Sequence, residues 1–169
     1  MAFQIGDKVV HWAYGLGEVI QLDEKQLAGK NALYYVVKVK DLTLWVPIEE
    51  ANSLKLRLPT AKTEFEGLFN ILRGEGEVLP EDRMERKGQL TERLREGSLE
   101  SICQLIRDLS AFRHKKKLNE CDSQILGRAC KMLLDEWNLS LAIPVPVAER
   151  ELDRLLEEGR NLATGNSLS

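Results

Sequence analysis

The sequence predicts an α+β chain in two unlike halves. A small antiparallel β-barrel is expected over residues 1–58, a compact all-helical domain over 59–160, and a polar, frayed tail over 161–169. Three observations predict this. As far as Leu58, short runs rich in β-branched and aromatic residues alternate with turn signals. From Pro59 onward, apolar residues recur at helical spacing instead. Between the helical runs stand the capping residues and glycines that start and stop helices.

Taken in order, Asp7–Trp12 is the first strand, Tyr14-Gly-Leu-Gly17 a turn and Glu18–Leu22 the second strand. A polar hairpin containing Gly29 leads to Leu33–Val39, Asp41 turns the chain into Leu42–Val46, and Ser53–Arg57 adds an edge strand. Pro47 suits a strand end, where no ladder donor is required. In the second half, Thr63 and Glu66 form a capping box, Phe65, Leu68, Phe69 and Leu72 one helical face, and Gly74 a stop. A second helix covers 81–96 with Gly97 as its stop, and Ser98 caps a third whose face is Leu99, Ile102, Leu105, Ile106, Leu109 and Phe112. The fourth carries Ile125, Leu126, Ala129, Leu133 and Trp137. After a break at Pro144 and Pro146, a fifth with Leu152, Leu155 and Leu156 ends at Gly159.

The chain has 169 residues, 43% hydrophobic and 30% charged, with 24 Lys+Arg against 27 Asp+Glu and a net charge of -3. This is globular composition, which excludes disordered and fibrous classes. Three cysteines without a C-x-x-C fit reduced thiols rather than a disulfide framework or zinc site. The N-terminus has neither the basic nor the apolar segment of a secretory signal, and the longest apolar stretch, 139–148, is broken by two prolines. A cytoplasmic, monomeric protein without membrane, metal or cofactor is therefore expected.

No catalytic constellation is present. The two histidines, His11 and His114, lie far apart and have no Ser, Cys or carboxylate at a spacing that makes a triad or a ligand set. Gly15-Leu-Gly17 lacks the third glycine and the following helix of a nucleotide fingerprint, so it reads as a turn. The protein is expected not to be an enzyme.

The charge distribution is more informative than its total. Residues 1–58 are neutral, 59–82 carry -4, 83–117 carry +5 and 118–169 carry -4. The basic stretch holds Arg83, Arg86, Lys87, Arg93 and Arg95, then Arg113, Lys115, Lys116 and Lys117. Such a cluster can neutralise phosphates and release counterions. It can equally be a solvated helix face laced with i,i+4 pairs, and composition does not separate the two. In the barrel, alternation sends one of Tyr34 and Tyr35 inward and places Trp45 opposite its neighbours Leu44 and Val46. An outward Trp45 near a sheet edge is a candidate interface anchor.

Three N-terminal segments, Phe3-Gln-Ile-Gly-Asp-Lys-Val-Val10, Tyr14-Gly-Leu-Gly-Glu-Val19 and Leu44-Trp-Val-Pro-Ile-Glu-Glu50, resemble the CarD/CdnL family of bacterial transcription regulators. The resemblance continues through Leu79-Pro80, Arg86, Glu92-Arg-Leu-Arg-Glu-Gly97, Ile106-Arg-Asp-Leu109 and Lys131-Met-Leu-Leu134, and covers about residues 1–158. It implies a Tudor-like domain that grips the RNA polymerase β subunit, and a helical domain that touches promoter DNA and stabilises the open complex. It further implies polymerase contacts at Lys25, Leu27 and Trp45, and together with the basic stretch it gives expected DNA contacts at Arg83, Arg86, Lys87, Arg113, Lys115 and Lys116.

The sequence departs from the family at telling positions. Trp45 stands where relatives often carry arginine, and Arg83 stands where many carry a tryptophan wedge for the minor groove. Glu85 and Gly88 replace positions that are often basic. An arginine enters a narrow minor groove by electrostatics but does not prop apart a base step. Weak DNA binding, effective only under a polymerase tether, is therefore implied. The alternative is a polymerase-associated or free protein-interaction adaptor without significant DNA binding.

Overall fold

The computed structural model describes residues 2–27, 29–49 and 55–163. Its elements are five strands, β1 (Lys8–His11), β2 (Gly15–Leu27), β3 (Lys30–Val39), β4 (Leu42–Pro47) and β5 (Leu56–Arg57), then five α-helices, α1 (Phe65–Leu72), α2 (Arg83–Glu96), α3 (Leu99–Arg113), α4 (Glu120–Leu141) and α5 (Val145–Ala163). These numbers hold for the described residues. The α+β class expected from the sequence holds. The chain divides into two compact units at Pro59/Thr60, with Arg95–Gly97 grouped with the first.

In the first unit all pairings are antiparallel, in the order β4-β3-β2-β1-β5. Its core is Phe3, Val9, Val19, Tyr35, Val37, Val39, Val46 and Leu56. The Tyr35 hydroxyl accepts the Phe3 N–H at 3.1 Å, which satisfies a buried oxygen while the two rings meet edge-on. The hairpin arms are longer than the sequence reading: β2 begins at Gly15 and reaches Leu27, and β3 starts at Lys30. The expected turn at 14–17 thus sits earlier, at 12–14. His11 holds that turn, its Nδ1 accepting the N–H groups of Ala13 (3.0 Å) and Tyr14 (3.3 Å). Gly17 lies inside β2, where a Cβ would come within 2.6 Å of Val39 and 2.7 Å of the Lys38 carbonyl. Close strand approach explains that glycine, not a turn. The expected start of the last strand, Ser53, lies outside the described residues.

In the second unit the predicted apolar faces converge on one core. It includes Phe65, Leu68 and Leu72 from α1, Ile102, Leu105, Ile106 and Leu109 from α3, Leu133 and Trp137 from α4, and Leu152 and Leu155 from α5. Ser98 caps α3 by accepting the Ser101 N–H at 3.1 Å, and Gly97 ends α2 at φ +81. Other boundaries differ from the expectation. The Thr63–Glu66 capping box does not form, because Lys62–Glu64 is a 3₁₀ turn that runs directly into α1. The second helix starts at Arg83 rather than 81, since Asp82 caps it by accepting the Glu85 N–H at 2.9 Å. The break before α5 lies at Ala142, in the left-handed conformation, and Pro144, whereas Pro146 occupies the first turn of α5, where its missing N–H costs nothing.

Gly159 does not end the last helix, which continues to Ala163. It is buried where a Cβ would lie 2.5 Å from the Gly74 carbonyl, so it serves close packing on the end of α1. Of the expected tail, 161–163 belong to α5 and 164–169 lie outside the described residues.

Candidate protein- and nucleic-acid-binding surfaces

On the sheet, strand alternation decides what is presented. Leu44 and Val46 turn into the core and Trp45 turns out, 44% exposed. The register pairs Gln21 with Val36 and Val36 with Trp45, so Gln21, Asp23 and Lys25 of β2 share the face that carries Trp45. Lys25 Nζ lies 3.9 Å above the centre of the Trp45 ring, and Trp45 Nε1 donates to Asp23 Oδ2 at 3.4 Å. The cation over the ring and the hydrogen bond at its edge fix an exposed indole in one orientation, a pre-organised apolar plate with charge at its rim. Lys25 and Trp45, expected separately, are thus in contact. Leu27 closes β2, and its side chain lies outside the described residues. Asp23 went unnoticed in the sequence, because only the β2–β3–β4 register brings it to Trp45.

The basic stretch splits into interior and exterior members. Arg83 and Lys87 are exposed one turn apart on α2, and neither has an ion-pair partner among the described residues. Beside them Met84 is 76% exposed, an apolar group that the charge reading passed over.

Arg86, expected among the DNA contacts, is instead interior, at 4% exposure. It donates from Nε to Asp122 Oδ1 (3.0 Å) and from Nη2 to Asp122 Oδ2 (2.8 Å), and from Nη1 to the carbonyls of Pro80 and Glu81 (3.1 Å each). Its guanidinium also stacks 4.7 Å over Phe112. The bond to Asp122 holds its pKa above the ordinary value. A guanidinium whose donors are committed this way is not available to a phosphate, so Arg86 is a structural residue that fixes the entry of α2.

A second interior knot centres on Asp108, wholly buried. It accepts Arg93 Nη1 at 2.6 Å, Arg107 Nε at 2.9 Å and the Glu77 N–H at 2.8 Å. At the end of α3, Arg113 and Lys115 are exposed, while Lys116 Nζ pairs with Glu81 Oε1 at 3.1 Å.

The buried acids Asp108, Asp122 and Glu136 are the least legible feature of the sequence. One signal for Asp122 was available: Asn119 and Asp122 have capping-box spacing, and each side chain bonds the other's backbone N–H, at 2.7 and 3.3 Å. Asp108 and Glu136 had no comparable signal. Among the described residues no group of three His, Cys, Asp or Glu side chains gathers to hold a metal, and no helix is long and apolar enough to cross a membrane.

Comparison with known proteins meets this geometry from the other side. Residues 3–59 match the CarD-like/TRCF RID domain, and residues 67–153 match the CarD C-terminal domain. The chain is 26% identical over 137 residues, 79% of its own length and 89% of the relative's, to a Bacillus subtilis (strain 168) protein named "Putative transcription factor YdeB". Both units thus match, in the same order as the element pattern, and the chain belongs to the CarD family.

Proposed function

We propose that this chain is a non-enzymatic, cytoplasmic transcription regulator. It binds the RNA polymerase β subunit through its sheet unit, holds its helical unit near promoter DNA, and so modulates open-complex stability. The observation that carries the reading is the fixed, outward Trp45 with Lys25 and Asp23 at its rim, on the unit that matches the RID domain. A rigid aromatic bordered by charge has the anatomy of an interface anchor, and in this chain buried apolar area takes the place of an arginine's charge-assisted bond. Lys25 and Leu27 complete the proposed polymerase contact.

On the helical unit, Arg83 and Lys87 lead the proposed DNA contacts, with Met84 between them as apolar contact area, and Arg113, Lys115 and Lys116 add charge. No cofactor is assigned, and the protein acts as a monomer. A pull-down of the full chain on purified polymerase β subunit tests the first half: specific retention is expected, and none would sink the proposal.

A second reading, an adaptor that does not engage DNA, draws on one observation. Arg86 and Lys116 are tied to Asp122 and Glu81, which thins the available cations. Binding of the full chain to duplex DNA against salt separates the two: affinity that falls linearly on a log–log plot supports DNA engagement, and none at low ionic strength supports the adaptor.

A further inference from the structure

The end of α3, whose Arg113, Lys115 and Lys116 also stand among the proposed DNA contacts, borders a groove. It has a volume of about 830 Å³ and lies between α3, the connection 114–119, α4 and α5. That is within the range of small-molecule sites, roughly 300–1,000 Å³. Its lining is rich in cations: Arg113, Lys115 and Lys117 belong to it, and none of the three has a carboxylate partner among the described residues. One or two cations in a last turn would balance the helix dipole, but the lysines extend beyond that turn. The lining also has an apolar part, Leu126, Leu152 and Leu156, with Asp153 beside it as the groove's one carboxylate among the described residues.

The lining also includes Gly127, in the interior of the 22-residue helix α4, where glycine weakens a helix relative to alanine. Packing does not require it: a Cβ there would meet nothing within 4 Å, and its φ is not positive. What the missing side chain leaves is bare helix backbone at the groove, which a flat group can approach. Cys130, also in the lining, has its thiol pushed up to about 11 by burial, so it stays protonated and gives the groove no nucleophile.

We propose that this groove binds a nucleoside polyphosphate, with the base and sugar on the apolar part against Gly127 and the phosphates on Arg113, Lys115 and Lys117. The chemistry follows from the mixed lining: an inorganic polyanion would leave the apolar part empty, and an apolar ligand would leave three cations unused. Catalysis is not part of the assignment. The inference goes beyond the polymerase reading and does not rest on it.

The test is calorimetric titration of the full chain with each of ATP, GTP, CTP and UTP, with tripolyphosphate, and with a duplex oligonucleotide. At least one nucleotide should bind, and tripolyphosphate should bind about tenfold or more weakly, the discrimination expected of a site that also uses the base. Gly127→Leu should abolish nucleotide binding while the far-UV circular dichroism stays unchanged, and Lys115→Glu with Lys117→Glu should do the same. Gly127→Ala gives a second, smaller obstruction that should raise the unfolding midpoint.

Three results would overturn the proposal. One is the absence of binding by all four nucleotides. Another is equal binding of tripolyphosphate with no effect of Gly127→Leu, which marks charge attraction alone. The third is duplex binding that displaces the nucleotide and is equally sensitive to Gly127→Leu, which assigns the groove to nucleic-acid phosphates. Polymerase retention in the pull-down is read separately, so failure of either reading leaves the other standing.

Discussion

The sheet unit and the helical unit treat charge in opposite ways. In the sheet unit the buried core is wholly apolar apart from the Tyr35 hydroxyl, and Lys25 and Asp23 stay outside, where they hold Trp45 in place. In the helical unit a core of twenty buried residues, counted among the described ones, is flanked by charges drawn inward: Arg86 with Asp122, and Arg93 and Arg107 with Asp108. The difference teaches that the local excess of +5 over residues 83–117 is not a measure of available positive charge. Part of it is internal wiring, neutralised by one acid within the basic stretch, Asp108, and one after it, Asp122. Outward and without a carboxylate partner among the described residues stand Arg83, Lys87, Arg113, Lys115 and Lys117, while the exposed Lys116 pairs with Glu81.

The comparison breaks most visibly at the buried pair. Asp122→Ala leaves Arg86 buried without a counter-charge and should destabilise the helical unit by about 3–5 kcal/mol, measured by urea unfolding. The double substitution Arg86→Met with Asp122→Leu removes both charges and should recover most of that loss. If Asp122→Ala were neutral, Arg86 would be free to leave the interior, and its exclusion from the proposed DNA contacts would fall.

Trp45→Ala should act in the reverse sense. It should cost about 2 kcal/mol or more in polymerase affinity, as hot-spot tryptophans do, and leave the unfolding midpoint within the scatter of surface substitutions. A large loss of stability with unchanged affinity would make Trp45 a packing residue and erase the contrast between the units.

Smaller still is the effect of a single outward cation. Arg83→Glu should lower duplex affinity modestly and reduce the log–log salt slope by about 0.9, the share of one neutralised phosphate. Replacing Arg83 by Glu should leave stability unchanged, whereas any change at Arg86 should not, although the two are less than one helical turn apart. Equal behaviour at the two sites would show that burial does not sort this stretch.

These pairs mark where the sequence stopped being legible. Period alone reported the strands, the apolar helix faces and the outward Trp45, because each depends on alternation within one element. The Ser98 cap was legible for the same reason: its partner is three residues away. Gly159 and Gly17 look like punctuation in the sequence, since the neighbours that require a glycine there, Gly74 and Val39, lie elsewhere in the chain. Arg86 was misread because its partner lies 36 residues on and its burial follows from packing of α2 against α4's first turn. Local chemistry showed that Arg86 could bind a phosphate, and only tertiary structure shows that a carboxylate already occupies its donors.

The smallest expected effect concerns pH and separates the units once more. His11 Nδ1 accepts two backbone N–H groups, which only the neutral ring can do, and burial lowers its pKa below the ordinary 6.5. The unfolded chain therefore takes up a proton at higher pH than the folded chain. The stability this histidine contributes is complete above about pH 6.5 and is lost as pH falls through the folded value, since in that window the unfolded state binds more protons. His114 is also lowered, by burial first and then by Arg160 and Arg113, so it contributes with the same sign in the helical unit. A global denaturation curve would mix the two, but amide exchange does not. The protection factors of Ala13 and Tyr14 should fall below pH 6.5, and His11→Asn should remove that pH dependence while leaving the amides of α3 unaffected. If Ala13 and Tyr14 kept their protection on acidification, the turn would be held by strand pairing at His11–Gly15 and not by the ring.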